Sequence, residues 1–273
     1  MIKLENVTFG YKEDKVIKNL NLEIKENEFV AVIGVNGSGK SSLMKLIAGL
    51  VFPKEGTITI DEISTKDKKE RTNLRKKVGL VFQNPENQLV FSNIEDDMKF
   101  MLENFNFSKE EIAKRISQSL EMVGMKEYQN KDIYSLSMGQ KQRIAIAEML
   151  ALKSKYLLLD EPTAMLDPES KKKLIKTVKE LQKEQAMTVV YATNIISEIL
   201  QADRIIALDK GSIAFNCMPE TIIENVEKFT KIGLQIPEII ELICKLNQKG
   251  IKINTKTFEI DEIVEEVIRS KIC

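Results

Sequence analysis

The sequence of 273 residues contains no histidine. Histidine is the side chain whose ordinary pKa lies nearest neutrality, so its absence excludes histidine general bases, histidine metal ligands and histidine-based pH switches. Any chemistry must therefore be carried by carboxylate, amide, hydroxyl or lysine groups.

Cysteine is also scarce. Cys217, Cys244 and Cys273 are odd in number, and no two of them stand at the short spacing of metal sites or redox motifs. We expect reduced thiols, as in the cytosol. No apolar run approaches the ~18 residues needed to cross a bilayer, and Lys3 and Glu5 interrupt any signal-peptide core. These features predict a soluble chain that is not exported.

The chain has no excess of charge of either sign, because Lys plus Arg and Asp plus Glu both total 41. No overall positive field is available to attract nucleic acid or an anionic membrane, so we expect no nucleic-acid partner. With 43% hydrophobic residues, the chain can bury one substantial core and a smaller second domain without disulfides or a structural metal.

Short apolar runs alternate with helical patterns along most of the chain. The runs have the length and composition of strands covered on both faces of a parallel sheet, and they occupy residues 29–33, 78–82, 156–159 and 188–192. Helical spacing follows at residues 41–50 and 169–183. The alternation predicts an α/β core. Shorter runs at 2–4, 7–9, 20–24 and 57–60 predict a small antiparallel β layer beside it.

Two further regions differ from this α/β core in their sequence pattern or composition. Residues 84–155 are predicted to form a helical insert, with Ser108 and Glu111 spaced as a capping box. Residues 221–273 are rich in Ile and Glu, and Pro237 stands at a first helical position. We therefore expect a main domain over residues 1–220 and a small helical or α+β extension over 221–273.

Residues 34–41 match the phosphate-loop pattern of Gly, four residues, Gly, Lys and Ser or Thr. A strand leads in and an apolar-striped helix leads out, so backbone N–H groups and the positive helix end converge on a polyphosphate. Lys40 is expected to contact the β- and γ-phosphates, and the Ser41 hydroxyl to ligate Mg²⁺. The alternative is a glycine-rich turn without a ligand. The predicted ATP-binding set is Gly34, Asn36, Gly37, Ser38, Gly39, Lys40, Ser41 and Ser42.

Two adjacent carboxylates, Asp160 and Glu161, end the apolar run at 156–159. Ligands bind outside the carboxyl ends of parallel strands, which suits a cation site there. We predict that Asp160 holds Mg²⁺ and that Glu161 polarises the attacking water as a general base. A solvated strand end is the alternative for this pair taken alone.

The segment Leu-Ser-Met-Gly-Gln at 136–140 resembles the signature motif of ATP-binding cassette (ABC) ATPases. The resemblance implies that Ser137, Gly139 and Gln140 bind the γ-phosphate presented by another subunit, at a helix N-terminus suited to an anion. It also implies that Tyr11 stacks on adenine and that Gln83, the Q-loop glutamine, serves catalysis and ligates Mg²⁺.

Residues 164–167 resemble the D-loop of the same family, and motifs of this kind span about residues 1–215. Each has an alternative when taken singly: Tyr11 as a turn aromatic, Gln83 as an exposed strand end, and Asp167 as a helix cap. Their joint order favours an α/β phosphate-loop NTPase of the ABC type.

Asn194 stands where that family places a switch histidine. An amide can donate a hydrogen bond but carries no charge. Loss of one oriented donor at a transition state costs about 3 kcal/mol, roughly a hundredfold in rate. The resemblance therefore implies a catalytic role for Asn194. The alternative is that this chain is a weakened nucleotide-binding subunit and that its partner does most of the hydrolysis. Met138, where the family favours glycine, is a milder departure.

Residues 82–88 and 94–97 are similar to the ATPases of energy-coupling factor (ECF) importers, more specifically the first of their two paired ATPase subunits. Residues 233–251 resemble the extension that holds such pairs together, although an Ile-rich tail also fits a local core patch. The resemblance implies a second ATPase subunit, with a heterodimer favoured over a homodimer. It also implies a transmembrane T subunit contacting the region after Gln83, and a substrate-binding S component.

The leading hypothesis is thus an ATPase motor subunit for uptake of a vitamin or a transition-metal ion, peripheral at the cytoplasmic face of the cell membrane. A competing hypothesis is a cassette protein acting on ribosomes or DNA. Such proteins usually carry two cassettes or a long coiled-coil insertion, and this chain shows neither.

Overall fold

A computed structural model describes residues 1–251, 253, 258 and 260–270. The strands in this range are β1 (Ile2–Phe9), β2 (Ile17–Ile24), β3 (Phe29–Ile33), β4 (Glu55–Ile60), β5 (Ile63–Ser64), β6 (Val78–Val81), β7 (Tyr156–Asp160), β8 (Thr188–Thr193), β9 (Arg204–Asp209) and β10 (Ser212–Cys217). The α-helices are α1 (Lys40–Ile47), α2 (Arg71–Lys77), α3 (Ile94–Glu103), α4 (Lys109–Met122), α5 (Met138–Ala151), α6 (Pro168–Glu184), α7 (Val226–Lys231), α8 (Glu238–Gln248) and α9 (Ile260–Ser270). Cys273 and part of the predicted extension lie outside the described residues.

The main sheet has six strands in the order β10-β9-β3-β8-β7-β6. All neighbours are parallel except the β9–β10 hairpin. Every residue of β3, β6, β7 and β8 is buried, because helices or the second sheet cover both faces. The four parallel strands predicted from their apolar runs are confirmed.

Alternate side chains of this sheet enter two different cores, as the two-residue period of a strand requires. Ala31 and Leu159 pack on one side with the helical insert and α6. Val32 and Leu158 pack on the other side with α1 and the antiparallel layer. The sheet therefore holds the insert and the antiparallel layer on opposite faces.

The antiparallel layer has the strand order β2-β1-β4-β5. The predicted break between residues 2–4 and 7–9 is wrong, since both belong to the single strand β1. The register with β2 shifts between Leu4 and Val7, where Asn6 has a φ of 50°. Asparagine tolerates this left-handed conformation, so the strand continues through a bulge instead of ending.

The segment between β6 and β7 is helical, as predicted, and contains α3, α4 and α5. The Ser108 hydroxyl accepts a hydrogen bond from the Glu111 N–H, but the Glu111 carboxylate accepts from Arg115 at 2.7 and 3.0 Å. Only half of that predicted capping box therefore forms. A complete box forms at α5, between Ser137 and Gln140.

Strands β9 and β10 were not predicted. Strand β9 pairs in parallel with β3, and β10 returns beside it as an edge strand. The apolar run of β9 is four residues long and buried, whereas β10 alternates exposed and half-buried residues. Such short or weakly apolar segments acquire their structure from the sheet edge on which they pair.

The described part of the C-terminal extension packs partly into the main core. Phe229 is fully buried, and its ring lies edge-on to Phe215 with centroids 4.8 Å apart. Pro237 is the N-cap of α8, one residue before the helical position predicted for it. Ile243 joins a separate small cluster with Ile253 and Ile263. Among the described residues, no helix combines the length and the apolarity that a membrane span needs.

The Phe229 contact predicts how firmly the extension is attached. We expect Phe229→Ala to lower the free energy of unfolding by about 3 to 5 kcal/mol, because a fully buried ring leaves a cavity. The check is urea unfolding of the full chain. The half-exposed Phe52 is the matched control, and Phe52→Ala is expected to cost less than about 1 kcal/mol. Equal losses in the two variants would show that Phe229 does not anchor the extension.

Candidate nucleotide site

The predicted site residues follow four neighbouring parallel strands at their carboxyl ends. Strand register pairs Ile33 with Thr193, Asp160 with Ala192, and Val81 with Leu159. The register therefore brings four groups to one edge of the sheet. They are the loop after β3, Asn194 after β8, the carboxylates at the end of β7 and Gln83 after β6. This edge is where ligands of open α/β sheets bind.

The phosphate loop turns sharply before α1. Gly39 is the N-cap of α1 with a φ of 110°, and a Cβ at this position would lie 2.8 Å from Cδ1 of Ile17. The backbone conformation therefore favours glycine here, and a side chain would in addition have to displace the end of Ile17. The loop closes on itself through a hydrogen bond from the Ser38 N–H to the Val35 carbonyl at 3.1 Å.

Lys40 folds back over the loop that precedes it. Its Nζ donates to the Gly34 carbonyl at 2.8 Å and lies 3.1 Å from Oε1 of Glu161. The side chain is only 4% exposed, so its charge is compensated by these contacts more than by water. The ammonium group is thus positioned at the mouth of the loop.

Asp160 lies on the other side of the loop and accepts a hydrogen bond from the Ser41 hydroxyl at 3.0 Å. Burial raises the pKa of the Asp160 carboxyl, an effect that the Ser41 hydrogen bond opposes. A nearby cation would favour the ionised carboxylate. The hydroxyl and carboxylate together provide the hard oxygen ligands that Mg²⁺ prefers.

Two side-chain amides complete the edge. Nε2 of Gln83 donates to Oε2 of Glu161 at 3.1 Å, so Glu161 is held between Gln83 and Lys40. Nδ2 of Asn194 donates to Oδ1 of Asn36 at 3.3 Å. Asn194 therefore lies against the phosphate loop, where a side-chain donor can reach a ligand.

The loop fits a polyphosphate on its own geometry. The Ser38 hydroxyl is buried and has no hydrogen-bond partner in the described structure. An unpaired buried hydroxyl is costly, and a phosphate oxygen would satisfy it. Among the described residues, no group of three or more Cys, Asp or Glu side chains forms a closed metal site. A divalent cation here would need phosphate or water oxygens as further ligands, as is usual for Mg²⁺.

Other predicted residues lie apart from this edge in the described contacts. Tyr11 is half-exposed, and its ring lies edge-on to Phe9 at 5.0 Å. Ser137 and Gln140 cap α5 by bonding each other, at 2.9 and 3.3 Å. A Cβ on Gly139 would meet Leu166 at 3.5 Å, so the signature turn faces the D-loop of its own chain. No described hydrogen bond joins this turn to residues 34–41.

Asp167 has a local structural role. Its carboxylate accepts from the N–H groups of Glu169 and Ser170 at 3.1 and 3.0 Å and so caps α6. Hydrogen bonding to Ser170 lowers the pKa of this carboxyl. The helix-cap alternative considered for Asp167 is thus what this chain forms by itself.

Sequence reasoning missed a buried network behind Asn194. Glu198 is 4% exposed and accepts hydrogen bonds from the hydroxyls of Thr163, Thr193 and Tyr191 at 2.7, 2.7 and 3.2 Å. Thr193 immediately precedes Asn194, so the network fixes the turn that carries this amide. The partners are up to 35 residues apart and match no motif. Only folding brings them together.

The fold and this edge together define a phosphate-loop nucleoside triphosphatase. Comparison with known proteins narrows the class. The profile of the ABC transporter family matches residues 17–164. Energy-coupling factor transporter ATP-binding protein EcfA1 of Caldanaerobacter subterraneus subsp. tengcongensis is 41% identical over 98% of this chain and 99% of its own length. The protein of that name from Clostridioides difficile strain 630 is 39% identical over 98% of both chains.

Solved structures agree with this assignment. The structure of cbiO1 from Clostridium perfringens, part of the ABC transporter complex cbiONQ, has a TM-score of 0.77 and 33% identity, covering 88% of this chain and 97% of that one. A dimeric post-hydrolysis state of the ATP-binding cassette MJ0796, with ADP and Pi, has a TM-score of 0.72 and 35% identity, covering 80% and 99%.

The chain belongs to the ABC transporter family, and within it to the ATP-binding proteins of energy-coupling factor transporters. It is an ATP-hydrolysing transport enzyme. The predicted family and fold class are confirmed. The alternative of a weakened ATPase has no specific support from these relatives, and a role on ribosomes or DNA has none.

The Glu198 network yields a prediction. We expect Glu198→Ala to lower the free energy of unfolding by about 1 to 3 kcal/mol, because three hydroxyl groups lose a charged acceptor. ATP turnover should fall with it, since Thr193 no longer fixes Asn194. Denaturant unfolding and steady-state ATPase assays measure both effects. Glu184→Ala, at the exposed end of α6, is the control and should change neither. Wild-type behaviour of Glu198→Ala would contradict this role of the network.

Proposed function

We propose that this chain powers uptake of a vitamin or a transition-metal ion by hydrolysing ATP at a site that a second ATPase subunit completes. One observation carries the proposal. Hydrogen bonds and an ion pair bring five side chains together at one edge of the sheet, namely Lys40, Ser41, Asp160, Glu161 and Gln83.

The proposed roles follow from these contacts. Lys40 exchanges the Glu161 carboxylate for phosphate oxygens when ATP binds, and the N–H groups at the start of α1 bind the same phosphates. Ser41, Asp160 and Gln83 would hold Mg²⁺, which would neutralise charge that develops on the phosphate oxygens. The rest of the phosphate-binding surface is formed by Gly34, Asn36, Gly37, Ser38, Gly39 and Ser42. Tyr11 stacks on adenine.

Glu161 is the proposed general base. Once Lys40 turns to phosphate, the Glu161 carboxylate is free to accept a proton from water, while Gln83 keeps it oriented through the 3.1 Å hydrogen bond. Asn194 donates its amide N–H toward the γ-phosphate. The catalytic set is therefore Glu161, Gln83 and Asn194.

The signature turn is proposed to act on another subunit. Ser137, Gly139 and Gln140 have no described contact with this chain's own phosphate loop. The N–H groups of Ser137 and Gln140 are used in the capping box, so an anion would be bound by the Gly139 N–H and the positive end of α5. Two of the similar solved structures are described as dimeric cassettes. We infer a pair of ATPase subunits, with two different subunits favoured over two copies, held together by the extension at 221–273.

The membrane partner is proposed to dock just beyond Gln83. Val90, Phe91 and Phe100 are 73%, 41% and 46% exposed, and the Phe91 and Phe100 rings lie 5.1 Å apart. We call these three residues the docking patch. An exposed apolar cluster of this kind favours a partner surface. We assign to it the transmembrane T subunit, which places the chain at the cytoplasmic face of the membrane. A separate S component recognises the cargo.

One prediction concerns the general base. Glu161→Gln in the assembled complex should lower ATP turnover by roughly a hundredfold or more while leaving ATP binding intact, because an amide cannot accept the proton. Turnover and nucleotide binding are measured on the same preparation. The exposed Glu169 provides the control, with Glu169→Gln expected to retain turnover. Undiminished turnover of Glu161→Gln would exclude Glu161 as the base.

Another prediction concerns Asn194 at the switch position. If the amide of Asn194 limits hydrolysis, Asn194→His should raise turnover per complex severalfold, because an imidazole can carry charge at the γ-phosphate. The measurement is ATP turnover of the complex at saturating ATP. No increase would count against the weakened-subunit alternative and for a site that already works with asparagine.

A further inference from the structure

A cavity lies at the edge of the main sheet opposite the nucleotide site. Lys155 immediately precedes β7 and Met187 immediately precedes β8, and both residues line the cavity. Asp160 ends β7, so the five-residue length of that strand separates the two edges by about 15 Å. None of the described residues that line the cavity belongs to the predicted nucleotide site.

The cavity has the size and the mixed surface of a small-molecule site. Its volume is about 330 Å³, which falls within the range of roughly 300 to 1,000 Å³ for ligand pockets. Its apolar wall includes Met122 from α4, Leu150 near the end of α5, and Met187. Methionine side chains adapt to apolar groups of varied shape. This wall therefore suits the apolar body of a ligand.

One buried polar group in the wall has no partner. Ser154 is only 3% exposed, and its hydroxyl has no hydrogen-bond partner in the described structure. The other serine of the wall, Ser119, is satisfied, because its hydroxyl donates to the Ile116 carbonyl at 3.1 Å. An unpaired buried hydroxyl is costly, and an acceptor oxygen of a ligand would remove that cost.

The charged groups of the wall favour an anion. Among the described residues that line the cavity, three are basic and none is acidic. Lys153 is exposed and has no ion pair within the described part of the chain. Arg115 has five N–H donors, of which its hydrogen bonds to Glu111 and to the Ala151 carbonyl use three. Lys155 is already ion-paired, so Lys153 and Arg115 supply the free donors.

We propose that this cavity binds a small carboxylate with an apolar body. The carboxylate accepts hydrogen bonds from the Ser154 hydroxyl and from the free donors of Lys153 and Arg115, and the apolar body covers Leu150 and the two methionines. Inorganic phosphate would leave that apolar wall in contact with water, so it fits less well. The inference is independent of the proposed function, because the cavity belongs to this chain alone.

The test is NMR of the full chain, labelled with carbon-13 at the methionine methyl groups and titrated with 2-naphthoate. The aromatic ring of the probe should shift the Met122 and Met187 resonances saturably, with a dissociation constant of about 1 mM or lower. Met44 in α1 and Met138 in the signature turn report on the nucleotide site and should not shift. Saturating ADP should leave the titration unchanged.

A second probe separates charge from apolar contact. The neutral 2-naphthamide has the same apolar body without the negative charge, and it should bind roughly tenfold more weakly than 2-naphthoate. Equal affinities would overturn the preference for an anion. Shifts at Met44 or Met138 in place of the cavity methionines would overturn the site, as would the absence of a saturable shift up to about 10 mM 2-naphthoate.

The free lysine provides a matched pair of variants. Lys153→Gln should lower the affinity for 2-naphthoate severalfold and leave that for 2-naphthamide unchanged, because only the carboxylate gains from the ammonium group. Lys172→Gln makes the same change near the start of α6, outside the cavity, and should keep wild-type affinity for both probes. Equal effects of the two variants would contradict the role of Lys153.

Ser154→Ala distinguishes a ligand-binding hydroxyl from a structural one. Removal of a buried hydroxyl that has no partner should leave the urea midpoint of the full chain unchanged or higher, since no hydrogen bond is lost. The affinity for 2-naphthoate should fall severalfold in the same variant. A lower midpoint with wild-type affinity would show that the hydroxyl serves the fold, and it would overturn the assignment of Ser154 to the ligand.

Discussion

The alignment of four parallel strands is the constraint on which the rest of the molecule depends. Strands β3, β8, β7 and β6 are hydrogen-bonded side by side and buried on both faces. A slip of one residue would move a strand end by about 3.3 Å and exchange its two faces. Neither the 3.0 Å contact between Ser41 and Asp160 nor the 3.1 Å contact between Gln83 and Glu161 would survive that change.

The charged side chains of the nucleotide site are compensated by contacts with one another and with neighbouring polar groups. Lys40 lies between the Gly34 carbonyl and Glu161, and Asp160 is bonded to Ser41. Each of these contacts can be exchanged for a stronger contact to phosphate or to a divalent cation. The protein therefore keeps a buried lysine and two adjacent carboxylates folded without leaving an isolated charge.

Helix α5 connects this site with the surface proposed for the membrane partner. Its first turn carries the signature residues, and its next turn holds the chain after β6, with Gln142 donating to the Phe82 carbonyl at 3.2 Å and Lys141 paired with Glu86. Further along, Ala145 and Glu148 hold Gln88. A rotation of α5 would therefore move the signature turn and residues 82–88 together.

The sequence by itself determined what depends on local order and composition. The apolar runs predicted the parallel strands, and the spacing from Gly34 to Ser41 predicted the turn into α1, because backbone geometry and solvent exclusion act over a few residues. Tertiary structure alone decided the rest. It joined Glu198 to Thr163, paired β9 with β3, and placed Asp97 where it accepts a hydrogen bond from the Val90 N–H, since a side chain's partner depends on which residues fold around it.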